Sequence, residues 1–446
     1  MPIIYAARWV LPIASPVLED AAVAVDEARI IGVGSRSDLL ARFPDSRIED
    51  FGQAVILPGL VNAHSHLELT IMRGFLEPEE HDFFAWLRKL TLVRMAMTPE
   101  DLFASATCGA IEAARAGVTC LADASSAATE AMKALREVGL RGIVYQESFG
   151  PDPALASENV AKLREQIARL RGHESDLVRV GVSPHSPYTV SAPQLELISR
   201  LANDEQLPLM MHAAESQAEK AFMFEGSGAF AEGLRARGIE WHAPGVSTIQ
   251  YLARHGILET RPLLAHCINV DDADLDLIRR TGAGIAHCPK SNAKLGHGHA
   301  PFNEILAHKI NAGLGSDSVA SNNICDLLEE ARFATLLARL HRASAPVTAA
   351  QALFAATLGG ARALGLDDQI GALVEGMQAD FTVVSLAGTH QQPVNNPADT
   401  LVFSSSGRDV VRTVVAGNDI YRNGEVSAVD EVEVRRLIQA VRNRLE

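Results

Sequence analysis

The chain has 446 residues, 47% hydrophobic and 21% charged, the balance of a soluble globular protein rather than a disordered or membrane-embedded one. A formal charge of −15 argues against nucleic acid or an anionic membrane surface as the principal partner. The length exceeds one ordinary core and suits an α/β barrel with an accessory domain.

The first ten residues carry no basic segment followed by an apolar core and cleavage site, and no apolar run reaches the roughly 20 residues needed to span a bilayer. Five cysteines (Cys108, Cys120, Cys267, Cys288, Cys325) form no CxxC and no regular framework. Buried free thiols of this kind suit a reducing compartment, so a cytoplasmic location is expected.

Residues 1–57 read as short strands with turns: Ala22–Asp26, Arg29–Val33 and Ala54–Leu57, with a brief helical period at Ser37–Phe43. Residues 58–365 alternate strand-like runs with longer amphipathic stretches. After the strand that enters His64 come Val118–Asp123, Gly142–Glu147, Val178–Ser183, Leu207–His212, Pro262–His266, Ala283–His287 and Ala312–Asp317. Eight such units predict a (β/α)8 TIM barrel. Residues 366–446 return to short strands (Ala379–Val384, Thr400–Phe403, Val410–Val415) and close on a helix over Val432–Leu445. The two ends are expected to form one small β-sandwich. Between the fifth and sixth barrel strands, residues 213–258 exceed an ordinary connection, as a surface excursion or a substrate-binding loop.

Chemistry-bearing residues recur where barrel strands end. The first delivers His64 and His66, two residues apart and therefore on one face of a strand. The fifth ends at His212, followed by Glu215; the sixth ends at His266; the eighth ends at Asp317. Each alone reads equally well as a satisfied core or rim group. All C-terminal strand ends of a closed parallel barrel face one rim, so together they predict an active site. Three imidazoles and a carboxylate (His64, His66, His212, Asp317) suit one divalent metal, Zn2+ first and Fe2+ or Mn2+ as alternatives, with a position left for water. Glu215 can shuttle protons beside it, and His266 can hold the water or stabilise developing charge. The fourth strand end, Val180–Tyr188, has no lysine to bridge two metals, so a mononuclear centre is expected, with His185 as a substrate contact.

The stretches Pro58–His66, His212–Glu215, Ala265–Cys267, His287–Asn292, Gly313–Asn323 and Gly371–Asp380 together resemble the amidohydrolase superfamily, in its deaminase and chlorohydrolase branch. The resemblance covers nearly the whole length. It implies His64, His66, His212 and Asp317 as metal ligands, Glu215 and His266 as proton shuttle and water-orienting histidine, and Asp317 as acceptor of a proton from the water. It further implies that Pro184-His-Ser186 contacts the ribose side of a nucleoside, making Ser186 a substrate-binding candidate beside His185, with Asn292 as another. Ser183–Ser191, the long insert and Cys288–Asn292 look most like the 6-aminodeoxyfutalosine deaminases, which implies conversion of 6-aminodeoxyfutalosine to futalosine and ammonia in menaquinone biosynthesis. Glu68 shares a face with His66, so it reads as a substrate contact or a rim carboxylate. The alternatives are a deaminase of S-adenosylhomocysteine, methylthioadenosine or another base, a chlorohydrolase, and, remotely, a non-catalytic scaffold of the same fold. His297 and His299 form a second HxH, for which a role near substrate or solvent is expected rather than a metal. The expected partner is a small nucleoside-like molecule, with no nucleic acid or membrane, in a homo-oligomer. The P-C-x-x-C half of the other zinc deaminase signature is absent.

Overall fold

Five strands precede the first HxH: β1 (Ile3–Val10), β2 (Leu18–Asp26), β3 (Arg29–Ser35), β4 (Arg47–Asp50) and β5 (Ala54–Pro58). The structure, a computed structural model, describes residues 1–340 and 346–445. Eight parallel strands follow: β6 (Leu60–Ser65), β7 (Val118–Ser125), β8 (Arg141–Ser148), β9 (Val178–Pro184), β10 (Met210–Ala213), β11 (Leu263–His266), β12 (Gly284–His287) and β13 (Ala312–Leu314). They pair in sequence order as two four-stranded ladders. Parallel bridges Val182↔Leu209 and Ser65↔Asp317 join those ladders at both seams, so the eight strands close into a barrel. Runs such as Val118–Ser125 and Arg141–Ser148 are buried along their whole length, as strands covered on both faces must be.

The last predicted strand is shorter than expected. β13 stops at Leu314, and Gly315–Asp317 form a turn in which Asp317 has φ 57°. Its backbone N–H donates to the His64 carbonyl at 2.8 Å, so the turn is tied to the first strand.

After the barrel come β14 (Phe381–Ser385), β15 (Val410–Val415), β16 (Asn418–Arg422) and β17 (Glu425–Val426). β14 pairs antiparallel with β5, which merges both chain ends into one nine-stranded sheet. β1 pairs with β4 over Ile3–Ala6 and with β5 at Trp9–Val10, so the sheet changes direction along this strand. Tyr5, Ile56, Phe381 and Val414 share its apolar core, and Tyr5 meets Phe381 edge-on at 4.9 Å. A buried ion pair, Arg141 Nε to Asp380 Oδ2 at 2.9 Å, links β8 to the approach to β14.

One expected strand is a helix. Thr400–Phe403 lies within the helix Pro397–Ser404, whose Asn396 side chain accepts from Ala398 N and whose first turn begins with proline. An Asn cap followed by Pro is a helix start, and it overrides the β-like character of Thr-Leu-Val-Phe. The long insert folds into three helices, Gln217–Glu225, Gly228–Ala236 and Thr248–Arg254. Trp241 packs it by stacking on Phe222 at 4.1 Å and donating Nε1–H to the Phe222 carbonyl. Among the described residues no helix is long and apolar enough to cross a membrane.

Candidate metal centre and active site

The closed barrel brings His64, His66, His212 and Asp317 to one point at its C-terminal rim. His66 Nε2 and His212 Nε2 are 3.2 Å apart, and Asp317 Oδ1 lies 3.4 Å from His64 Nε2 and 3.5 Å from His66 Nε2. Four ligand atoms at zinc bond lengths of about 2.0–2.1 Å in a tetrahedron are separated by about 3.3–3.4 Å. These three separations already stand near the edge lengths of such a site. His64 Nε2 is buried with no hydrogen-bond partner among the described residues, an unsatisfied lone pair where a ligated cation would satisfy it. The residues present fit a divalent metal.

Neighbouring groups orient these donors. His212 Nδ1 lies 2.9 Å from the His185 carbonyl and donates to it, which leaves Nε2 as the nitrogen with a free lone pair. Asp317 Oδ1 accepts from Ser318 N at 2.7 Å, and Oδ2 accepts from the hydroxyls of Ser291 and Ser321. Burial pushes the His64 imidazole down to about 4 and holds that of His212 well below its ordinary value, so both are in the neutral, ligating form. Burial would raise the Asp317 carboxyl, but His64, His266 and His66 hold it well below the usual range. For His66 burial pulls down, and the carboxylates of Glu147, Asp317, Asp123 and Glu68 outweigh it and raise the ring. That negative field attracts positive charge to this point.

Gly315 sits behind the cluster. A Cβ there would lie 2.8 Å from His64 Cβ and 2.9 Å from Cys288 Sγ, with backbone His64 N at 3.0 Å. We expect Gly315→Ala to displace His64 and to cut metal affinity by about tenfold, at a cost of about 1–3 kcal/mol in stability. Metal analysis of the purified variant and its Tm check this; full metal content at an unchanged Tm would contradict it.

Glu215 follows β10 in a turn where Ala214 has φ 53°. Buried Glu219 fixes that turn by accepting from Ala214 N at 2.7 Å and Glu215 N at 2.9 Å. Burial pushes the Glu219 carboxyl up to about 7. The Glu215 carboxylate lies between two imidazoles, with Oε1 3.7 Å from both His266 Nε2 and His297 Nε2. His266, itself left-handed at φ 72°, is held by Asn292, whose Oδ1 accepts from Nδ1 at 2.8 Å. Non-glycine residues in this region of backbone space are uncommon and concentrate at functional sites. Here they aim side chains off the ends of β10, β11 and β13.

Above this floor lies a cavity of about 620 Å3, lined by His66, His185, His212, Glu215, His266 and Asp317 below, with aromatic and aliphatic side chains above. The helix Phe83–Met95 supplies one wall and the insert helix Gly228–Ala236 another. Tyr188 stacks on Phe230 at 3.8 Å, joining the insert to the fourth strand's loop. The insert is therefore part of the cavity.

Three expected substrate contacts are placed differently. Ser186 and Asn292 do not line the cavity. The Ser186 hydroxyl is 3.0 Å from His185 Nδ1 and 2.8 Å from Thr189 Oγ1, so it positions His185, as Asn292 positions His266. Glu68 does line it, but its oxygens accept from Arg94 Nε, Ser125 Oγ and Ala127 N. His297 packs edge-on against Phe83 beside Glu215, away from the metal-ligand cluster.

Glu147, at the end of β8, is a cavity residue that the strand-end reading of the sequence does not include. Its carboxylate lines the cavity, and a ligand atom of Glu147, His185 and His212 lie within 4.8 Å of one another. This is no second metal centre, because Nδ1 of His212 is occupied and Nε2 belongs to the first cluster. Glu147 and His185 instead form a polar floor suited to hydroxyl groups. A carboxylate ending a barrel strand was the available signal. Arg94 and the aromatic wall, set on a helix whose period is ordinary, left none.

The chain matches the profile of the Amidohydrolase family over residues 55–420. It is 33% identical over 424 residues to a 5-methylthioadenosine/S-adenosylhomocysteine deaminase of Nitratidesulfovibrio vulgaris, covering 93% of this chain and 90% of the relative. A solved adenosine deaminase from Xanthomonas campestris with bound zinc superposes with a TM-score of 0.86 at 29% identity, covering 99% and 98%. An atrazine chlorohydrolase from Arthrobacter aurescens complexed with zinc superposes at 0.84 with 23% identity, covering 98% and 99%, a likeness of fold alone.

Proposed function

The chain belongs to the amidohydrolase family, as a hydrolase acting on C–N bonds, and from that premise we propose that it is a metal-dependent deaminase of a 6-aminopurine nucleoside. The observation that carries this reading is the cluster of three imidazoles and one carboxylate, whose closest separations are 3.2, 3.4 and 3.5 Å, beside Glu215 and His266. His64, His66, His212 and Asp317 would hold a divalent cation, zinc by the chemistry of these donors, which would bring a water's pKa to about 7 and so provide a nucleophile at neutral pH.

The residues of the chain move the protons. Glu215 takes one from the nucleophile and delivers it to the ring nitrogen beside the carbon under attack. His266, fixed through Asn292, presents Nε2 to the oxygen on which charge develops. Asp317 accepts the second proton and passes it to the amino group, which departs as ammonia and leaves the 6-oxopurine. Glu147 and His185 face the sugar hydroxyls.

The relatives' names favour 5′-methylthioadenosine or S-adenosylhomocysteine as the substrate. A second reading, 6-aminodeoxyfutalosine, is favoured by the wall of Phe83, Phe84, Phe149, Tyr188 and Phe230, rings that stack well on an aryl substituent. Ammonia release from the metal-loaded protein, measured on all three nucleosides with adenosine and guanine, tests both. We expect the highest kcat/KM on a nucleoside bearing a bulky 5′-substituent. Faster turnover of guanine would overturn the nucleoside reading.

A further inference from the structure

The cavity separates its charges. The carboxylates of Glu147, Glu215 and Asp317 lie on the floor with the imidazoles, whereas the helical walls carry two arginines, Arg94 and Arg237. Arg237, just beyond the insert helix, is exposed. Arg94 is held: Nε donates to Glu68 Oε1 at 2.5 Å, and Glu68 is buried with its other oxygen taken by Ser125 Oγ and by Ala127 N at 2.6 Å. Glu68 is thus fully committed to fixing one edge of the guanidinium. The two terminal nitrogens of Arg94 have no protein acceptor among the described residues, although they sit in a mainly apolar wall with Trp86, Leu87, Leu90 and Met95, where Thr91 is the other polar side chain that the helix contributes. A planar fork with its inner edge anchored and its outer edge free is arranged for bidentate capture of a carboxylate.

We propose that Arg94, oriented by Glu68, is the residue that selects the substrate's tail, and that the preferred nucleoside carries a carboxylate at the end of its 5′-substituent. This rests on the nucleoside-deaminase reading above. The apolar wall takes the spacer, and Arg94, with Arg237 at the rim, takes the anion. Two tails have this chemistry, the amino-acid carboxylate of S-adenosylhomocysteine and the aryl carboxylate of 6-aminodeoxyfutalosine. 5′-Methylthioadenosine has the same purine and sugar with a neutral tail.

The test compares kcat/KM for these three substrates on the metal-loaded wild type and on Arg94→Met, which keeps apolar bulk and removes the fork. Loss of one bidentate charged contact predicts a fall of about 10- to 100-fold for the preferred carboxylate substrate, mostly in KM, with 5′-methylthioadenosine within about twofold. Which carboxylate substrate falls further identifies the tail. Because Arg94→Met leaves Glu68 without its cation, the methyl ester of each carboxylate substrate is also assayed on the wild type. The ester of the preferred substrate should lose a similar factor without any mutation. Equal losses on all three substrates, or an ester turned over as well as its acid, would overturn the role of Arg94 while leaving the deaminase reading intact. Failure of the metal-loaded wild type to deaminate any of the three would overturn both.

Discussion

Asp317→Ala is expected to yield a folded protein that has lost its metal and about three or more orders of magnitude in turnover. Asp317 is the single carboxylate among the four clustered donors, and its Oδ1 lies within 3.5 Å of two of the three imidazole nitrogens. Removing it leaves only imidazole donors and takes away both a ligand and the anion that offsets the cation's charge. It also removes the group assigned to pass the second proton to the departing amine. Loss of metal-activated water is the largest effect a single change in this site can have. His212→Ala should behave alike, since its Nε2 lies 3.2 Å from His66 Nε2 in the same cluster. Metal analysis of the purified variants, with ammonia release measured before and after adding zinc, is the check. An Asp317→Ala protein that keeps metal and full turnover would sink the assignment.

Glu215→Gln separates proton transfer from metal binding. Its carboxylate lies 3.7 Å from His266 and belongs to no closely spaced metal-ligand group among the described residues. The amide preserves shape and can still hydrogen-bond, but it cannot carry a proton from the nucleophile to the ring. We expect kcat to fall by about 10²–10⁴-fold, the usual worth of a positioned general acid–base, with metal content unchanged. Substrate should still bind, because the cavity walls are untouched. Loss of metal in this variant would show that Glu215 ligates it. Unchanged kcat would move the shuttle to another group, with His266 and His297 equally near.

The strands of the barrel were legible for a plain reason. Each is a short, mainly apolar run, several buried along their whole length as at Val118–Ser125, so its pattern differs from the helices around it. The rim residues were legible because a parallel barrel sends every strand end to the same side, which turns sequence position into location. Thr400–Phe403 reads as a strand because a threonine and three apolar residues carry no period of their own, and the deciding signal, Asn396-Pro397, stands outside them.

By itself, then, the sequence determined the barrel, the eight strand ends and the residue types able to bind a metal, since all of these follow from local pattern and from one rule of topology. Only the tertiary structure decided which polar atoms remain free. Ser186, Asn292 and Glu68 have the right chemistry to touch a substrate, yet the Ser186 hydroxyl, Asn292 Oδ1 and a Glu68 oxygen face His185, His266 and Arg94. Glu147 and Arg94, 53 positions apart, line the same cavity. Hydrogen bonds are short and directional, so whether a buried oxygen serves a neighbour or a ligand depends on angstrom-scale placement that only packing between distant segments fixes.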